Sequence, residues 1–325
     1  MSSQIEISYK TIFFIIVLLL ILWLLYLIKE IILMLFIAFI LMAAFKPWVK
    51  YLEKYHIPKL LSVLIVYLLL IFFLVFAGST IVPPLIFQST RLGASLPDYF
   101  SRLVPFFKID MEVFIQQIAP LGQNVLNITI KIFSDVIAIF TVLVISFYFL
   151  IERQYLESHL SGFINKKEAL RFIMVLNKIE DRLGSWVRGQ AMLMATIGVL
   201  TFISLTIIGI PYVLPLAIIA GVMEIIPIIG PILSAVPAVL IALTFSPILA
   251  VITALIYFII QQFESQIIVP IVMKKAVGIS PLITLVALMI GAKLAGVPGA
   301  ILALPVVVMI EGIIGEYVKF KKQEE

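Results

Sequence analysis

Glu224 heads the run "EIIPIIGPILSAVPAVLIAL", residues 224–243, which holds three prolines, a glycine and no other charge. Further along, Gln261, Gln262 and Glu264 crowd the end of a second apolar stretch, and Lys293 stands alone in a third. Carboxyl and amide groups at such depth can exchange a proton, hold a stripped cation or hydrogen-bond a polar solute. A charge at the centre of a bilayer costs about 2.5–3.5 kcal/mol on insertion scales, so isolated charges there tend to mark pathways. Gln261 and Glu264 lie three apart, share a helix face and offer oxygens suited to a polar solute or a hard cation. The plainer reading makes Glu224 and Lys293 a buried structural pair and the 261–266 cluster interfacial capping. Asp135 and Glu311 sit near segment ends, where snorkelling to water accounts for them. Arg188 and Gln190 read as anchors of the helix that carries them.

The elements around these residues are dictated by composition. Of 325 residues 63% are hydrophobic and 13% charged, and the mean hydropathy is +1.23, far from a soluble domain's balance. Blocks 11–28 and 60–82 carry no charge, as a helix crossing about 30 Å of hydrocarbon requires. The first lacks a small-residue cleavage site and runs almost at once into a second apolar stretch, which argues against a signal peptide. The fold class expected is all-α: a polytopic helical membrane protein with about eight membrane-embedded segments.

Charge sets the expected orientation. Lys46, Lys50, Lys54 and Lys59 follow the first hairpin, and basic loops stay cytoplasmic. Residues 1–151 then read as N-terminal transmembrane helices with an extracytoplasmic interfacial segment at 83–131. Residues 152–190 hold Arg153, Lys166, Lys167, Arg171, Lys178, Arg182 and Arg188, with Phe172, Val175, Ile179, Leu183 and Trp186 at helical spacing. That is a cytoplasmic amphipathic helical segment. Residues 191–325 form the C-terminal core, and both termini are expected in the cytoplasm of a cell-membrane protein. Gly198 reads as an ordinary mid-helix glycine of the span 191–209.

Beyond residue 209 prolines and glycines multiply. Helix breakers at membrane depth free backbone groups that only protein or a water-filled cavity can satisfy, so these segments are not lipid-facing. Offset by 69 residues, 210–233 lies over 279–302: Ile210 on Ile279, Leu216 on Leu285, Gly230 on Gly299, Ile232 on Ile301, and Glu224 on Lys293. Each copy, extended to 210–245 and 279–314, reads as an apolar arm, a charge, a Gly/Pro turn and a second arm. Pro227, Gly230 and Pro231 would make the first break; Gly296, Pro298 and Gly299 the second. The positive loops give the copies opposite orientations, as in carriers built from inverted re-entrant repeats around a midplane site.

The motifs "FYFLIER" (147–153), "WVRGQ" (186–190), "EIIPIIGPILSAVPA" (224–238), "QQFESQIIVPIVMKKAVGISPL" (261–282) and "GAKLAGVPGAILALPVVV" (291–308) together resemble the autoinducer-2 exporter family across nearly the whole chain. The resemblance implies multipass transport, with members linked to export of a small polar signalling molecule and others to sodium–proton exchange. The expectation is therefore a secondary transporter of a small polar solute, with H+ or Na+ coupling. A Na+(Li+)/H+ antiporter is the first alternative, and a channel or passive scaffold the second. The expected surroundings are the lipid bilayer, the solute or ion, and further copies of the chain in a homo-oligomer. Nucleic acid is not an expected partner, because basic loops serve membrane insertion.

Enzyme chemistry is disfavoured. There is no phosphate-binding G-x-x-x-x-G-K-[ST], no G-x-S-x-G and no H-E-x-x-H, so neither an ATP-driven pump nor a membrane hydrolase is expected. With no cysteine and two distant histidines, His56 and His159, neither a metal site nor a cofactor is expected.

Overall fold

The computed structural model describes residues 9–107, 136–273 and 280–324. Within them every regular element is helical: α1 (Tyr9–Leu27), α2 (Lys29–Glu53), α3 (Lys59–Phe107), α4 (Val136–Glu152), α5 (Leu156–Ser161), α6 (Lys166–Ile207), α7 (Val213–Met223), α8 (Ile229–Phe245), α9 (Pro247–Phe263), α10 (Val269–Val272) and α11 (Pro281–Glu324). Seven of the described helical stretches are long and apolar enough to cross a membrane, and α7 and α8 are shorter apolar arms. This is a polytopic helical membrane protein. Of the segment 83–131, α3 runs unbroken through Pro83 and Pro84 to Phe107, while 108–131 lie outside the described residues, as do Asp135, Lys274 and Lys275. The amphipathic stretch and the span after it are one continuous helix, α6.

Small residues decide where helices meet. Pro47 has no amide to give the Ala43 carbonyl four residues back, and Gly184 of α6 packs against that freed oxygen: a β-carbon there would lie 2.2 Å from it. Arg188 Nη1 donates to the neighbouring Ala44 carbonyl at 3.0 Å. The acceptor freed by Pro47 and the carbonyl beside it thus form the seam between α2 and α6. A second seam joins α6 to α7, where a β-carbon on Gly221 would lie 2.7 Å from the Met194 carbonyl and 3.3 Å from the Gly198 Cα. Gly198 is therefore part of a helix crossing, not the neutral mid-helix glycine its sequence context suggests. Close backbone approach through small residues is how membrane helices associate, since lipid gives them no hydrophobic drive to do so.

Where the later part of α2 and the end of α4 meet α6 lies a buried ionic cluster. Glu180 of α6 is fully buried and pairs with both Lys46 of α2 and Arg153, which follows α4. Asn177, one turn earlier, accepts from the same two cations at 3.0 and 3.1 Å. The lysine and arginine that set topology in the sequence thus also bind three helices together. Next to this cluster, Met42, Phe45, Val63, Tyr67 and Leu150 form the apolar core of α2, α3 and α4, with Tyr67 and Ser146 hydroxyls 2.6 Å apart. The core of the C-terminal half joins α6 to α9 through Ile197, Leu205, Leu216, Ala220, Ala238, Ile241 and Tyr257.

Candidate functional site

The first break begins where α7 ends at Met223. Glu224 closes that helix, and its carbonyl, left without an intrahelical donor, accepts from Gln190 Nε2 of α6 at 2.6 Å. Four residues on, the Ile229 amide bonds the Pro227 carbonyl at 2.8 Å across Ile228, whose φ and ψ are 72° and −54°. That is a γ-turn in its rare positive-φ form, on a β-branched residue for which such a backbone is strained. Gly230 and the buried Pro231 then open α8. A β-carbon on Gly230 would fall 1.8 Å from the Met223 carbonyl, so the two arms touch at this point.

The second break lies within α11, at Ala295 and Gly296. Gly296, with φ 63° and ψ −142°, holds a conformation that only glycine adopts cheaply. The chain folds back here: Gly291 and Gly299 meet, and a β-carbon on Gly299 would lie 2.0 Å from the Gly291 carbonyl. Pro298 is exposed beside the turn. In each hairpin a glycine after the break meets backbone seven or eight residues earlier. The hairpins also touch each other, as Ile226 of the first packs against Leu288, Ala300 and Ala303 of the second.

Glu264 arrives from α9. Val269 bonds back to the Glu264 carbonyl five residues earlier, so 264–268 form a π-turn between α9 and α10. Pro270 supplies the local cause: it cannot donate to the Gln266 carbonyl and its ring crowds it. Single π-turns inside helices are frequent at functional sites. This one buries Glu264, with 5% of its surface exposed, and sets its carboxyl group beside that of Glu224, itself 1% exposed. Gln261, one turn before Glu264, brings its side chain against the same carboxyl.

Of the residues singled out in sequence, Glu224, Glu264 and Gln261 come together. Gln262 faces outward from α9, and Lys293 is exposed on the tip of the second hairpin. Among the described residues no basic side chain forms an ion pair with either acid. Gln190 joins the site although its sequence context marked it only as an anchor; its neighbours "WVRGQ" carry no hint of the carbonyl it meets. Glu224 Oε2 and Glu264 Oε2 are both buried without a hydrogen-bond partner. Two buried acidic oxygens without partners, with the side chains of Gln190 and Gln261 close by, can bind a proton, coordinate a small cation or accept from the N–H and O–H groups of a solute.

Comparison with known proteins points to transport. The family model for AI-2E family transporters matches residues 12–319. The proposed transport protein YueF of Bacillus subtilis (strain 168) is 30% identical over 314 residues, covering 88% of this chain and 84% of YueF. YrrI, a second proposed transport protein of the same organism, is 27% identical over 308 residues, with 89% and 86% covered. A proposed transport protein of Borreliella burgdorferi is 27% identical over 283 residues, with 82% and 76% covered. A match from the first apolar helix to the end of the second hairpin, with relatives aligned over most of their own length, makes this chain a member of the AI-2E family of membrane transporters.

Proposed function

We propose that this protein is a secondary transporter of a small polar solute, driven by an ion gradient through the Glu224–Glu264 pair rather than by any catalytic step. One observation carries the reading: two carboxyl groups from different helices, both withdrawn from water, meet at a broken helix. Two carboxylates in contact repel, and low dielectric sharpens the repulsion, so the pair is completed by one proton or one cation. A site that must be neutralised in this way, on a segment hinged at both 224–228 and 264–268, ties ion occupancy to the position of α8 and α9. The two broken hairpins, read as inverted repeats, supply the alternation of access. The chain would work in the cell membrane as a homo-oligomer with both termini cytoplasmic, an orientation that cysteine labelling from either side tests.

Sodium or lithium exchange against protons is the second reading, favoured by the same unpartnered carboxyl oxygens. Proteoliposomes loaded with a pH-sensitive dye test both. Pulses of Na+ or Li+ should change lumenal pH in the natural protein, and Glu224→Gln should lower that rate at least tenfold while the protein stays folded. A Glu224→Gln protein with unchanged rate and unchanged pH dependence would make the acid structural. Unitary conductance in planar bilayers would identify a channel instead.

A further inference from the structure

Among the described residues four buried side-chain oxygens lack a partner: Glu224 Oε2, Glu264 Oε2, Thr201 Oγ1 and Tyr257 OH. The first two belong to the carboxyl pair, and the function proposed above makes no use of the other two. Elsewhere buried hydroxyls are satisfied: Ser146 by Tyr67, Ser234 by the Pro231 carbonyl, Thr253 by the Leu249 carbonyl. On α6 itself, Thr196 and Thr206 each donate to the carbonyl four residues back, whereas Thr201 between them does not.

The two hydroxyls border one buried cluster. Tyr257 precedes Glu264 by seven residues, two turns along the same face of α9, which places it about 10 Å from the acid at 1.5 Å per residue. Thr201 lies on the face of α6 that carries Ile197 and Leu205, and those two residues pack in the same buried cluster as Tyr257. Both hydroxyls sit on the side of the carboxyl pair nearer Ile207 and Pro247. Thr201 and Tyr257 are 1% and 9% exposed, so bulk water does not satisfy them. A hydroxyl buried unbonded costs about 1–3 kcal/mol, and native proteins commonly meet such groups with ordered water.

We propose that Thr201 and Tyr257 bind water between α6 and α9, and that this water extends the aqueous path from the carboxyl pair toward the Ile207 and Pro247 ends of those helices. The ligand is water, held by one hydroxyl from each helix. The proposal concerns the extent of the path and holds whichever ion or solute the carboxyl pair takes.

The chain has no cysteine, so a single introduced thiol reports its own surroundings. Thr201→Cys, Tyr257→Cys and Leu205→Cys, each purified at full length and reconstituted in lipid, are exposed to the small water-soluble reagent 2-aminoethyl methanethiosulfonate. Cysteines at 201 and 257 should react at least tenfold faster than the one at 205, one turn further along α6, where a fully buried leucine offers water no polar partner. Rates at 201 and 257 equal to that at 205 overturn the proposal. Tyr257→Phe supplies a measurement that needs no reagent. Removing an orphaned hydroxyl from a dry site raises the thermal unfolding midpoint, whereas removing a hydrated one leaves it unchanged or lowers it. A raised midpoint therefore also overturns the proposal. Neither readout depends on transport, so its failure is distinct from that of Glu224→Gln.

Discussion

At the scale of single residues, strain and unpaired polar groups gather at one place. Ile228 holds a positive φ that costs an L-residue roughly 1–2 kcal/mol, beside a buried acid and the point where two arms touch. Strain of this kind persists where surrounding structure holds it, and it clusters at sites that switch. Ile228→Gly should therefore raise the thermal unfolding midpoint of the purified protein, equivalent to about 1 kcal/mol, because the side chain it removes is 41% exposed and little packing is lost. A lowered midpoint would show that the turn is relaxed and the isoleucine held for its contacts. Glu224 was legible in sequence because a lone charge in an apolar run is conspicuous. Its partner was not: alignment of the two copies pointed to Lys293, whereas the residue in contact, Glu264, lies forty positions away and is turned inward by a π-turn. Hydropathy patterns carry no information about that turn.

At the scale of elements, the breaks are legible because glycine and proline are chemically unlike every other residue. Gly230 and Gly299 were expected at tight turns, and each faces a backbone carbonyl too close for any β-carbon. Close approach is what requires glycine at both positions; the positive φ of the two turns falls to Ile228 and Gly296. Gly230→Leu and Gly299→Leu should each destabilise the protein by at least about 2 kcal/mol and abolish flux, as overpacking against fixed backbone does. Gly315, with open space where its β-carbon would go, is the proper control, and Gly315→Leu should leave both unchanged. Equal effects at all three positions would remove the hairpin contacts from the explanation. Gly198 cannot serve as that control, because it lies in the α6–α7 crossing. No sequence window reveals a crossing, which is a property of two segments at once.

At the scale of the whole molecule, lipid solubility, the helical class and the order of spans were set by composition and the length of apolar runs. What escaped was cohesion. Lys46 and Arg153 read as topology signals, yet they converge on Glu180, a residue lost among the other charges of a basic segment. Their meeting depends on α2, α4 and α6 packing together, and Lys46, 134 positions from Glu180, and Arg153, 27 positions from it, leave no local trace of that.

One consequence of α6 follows from its continuity. It is 42 residues long, about 63 Å at 1.5 Å per residue, and it is held at Glu180 by the ionic cluster, at Arg188 by α2 and at Gln190 by the end of α7. No loop intervenes between these attachments, so they form a common shaft: load applied to α7 when Glu224 changes its occupant reaches the Glu180 clamp without a compliant joint on the way. Glu180→Ala should leave Lys46 and Arg153 without their counter-charge and cost about 3 kcal/mol. It should also slow flux, with the Glu224–Glu264 pair chemically untouched some 15 Å along the shaft from the change. Stability lost at unchanged flux would mean that the clamp only holds the helices in place, and that the shaft turns no load.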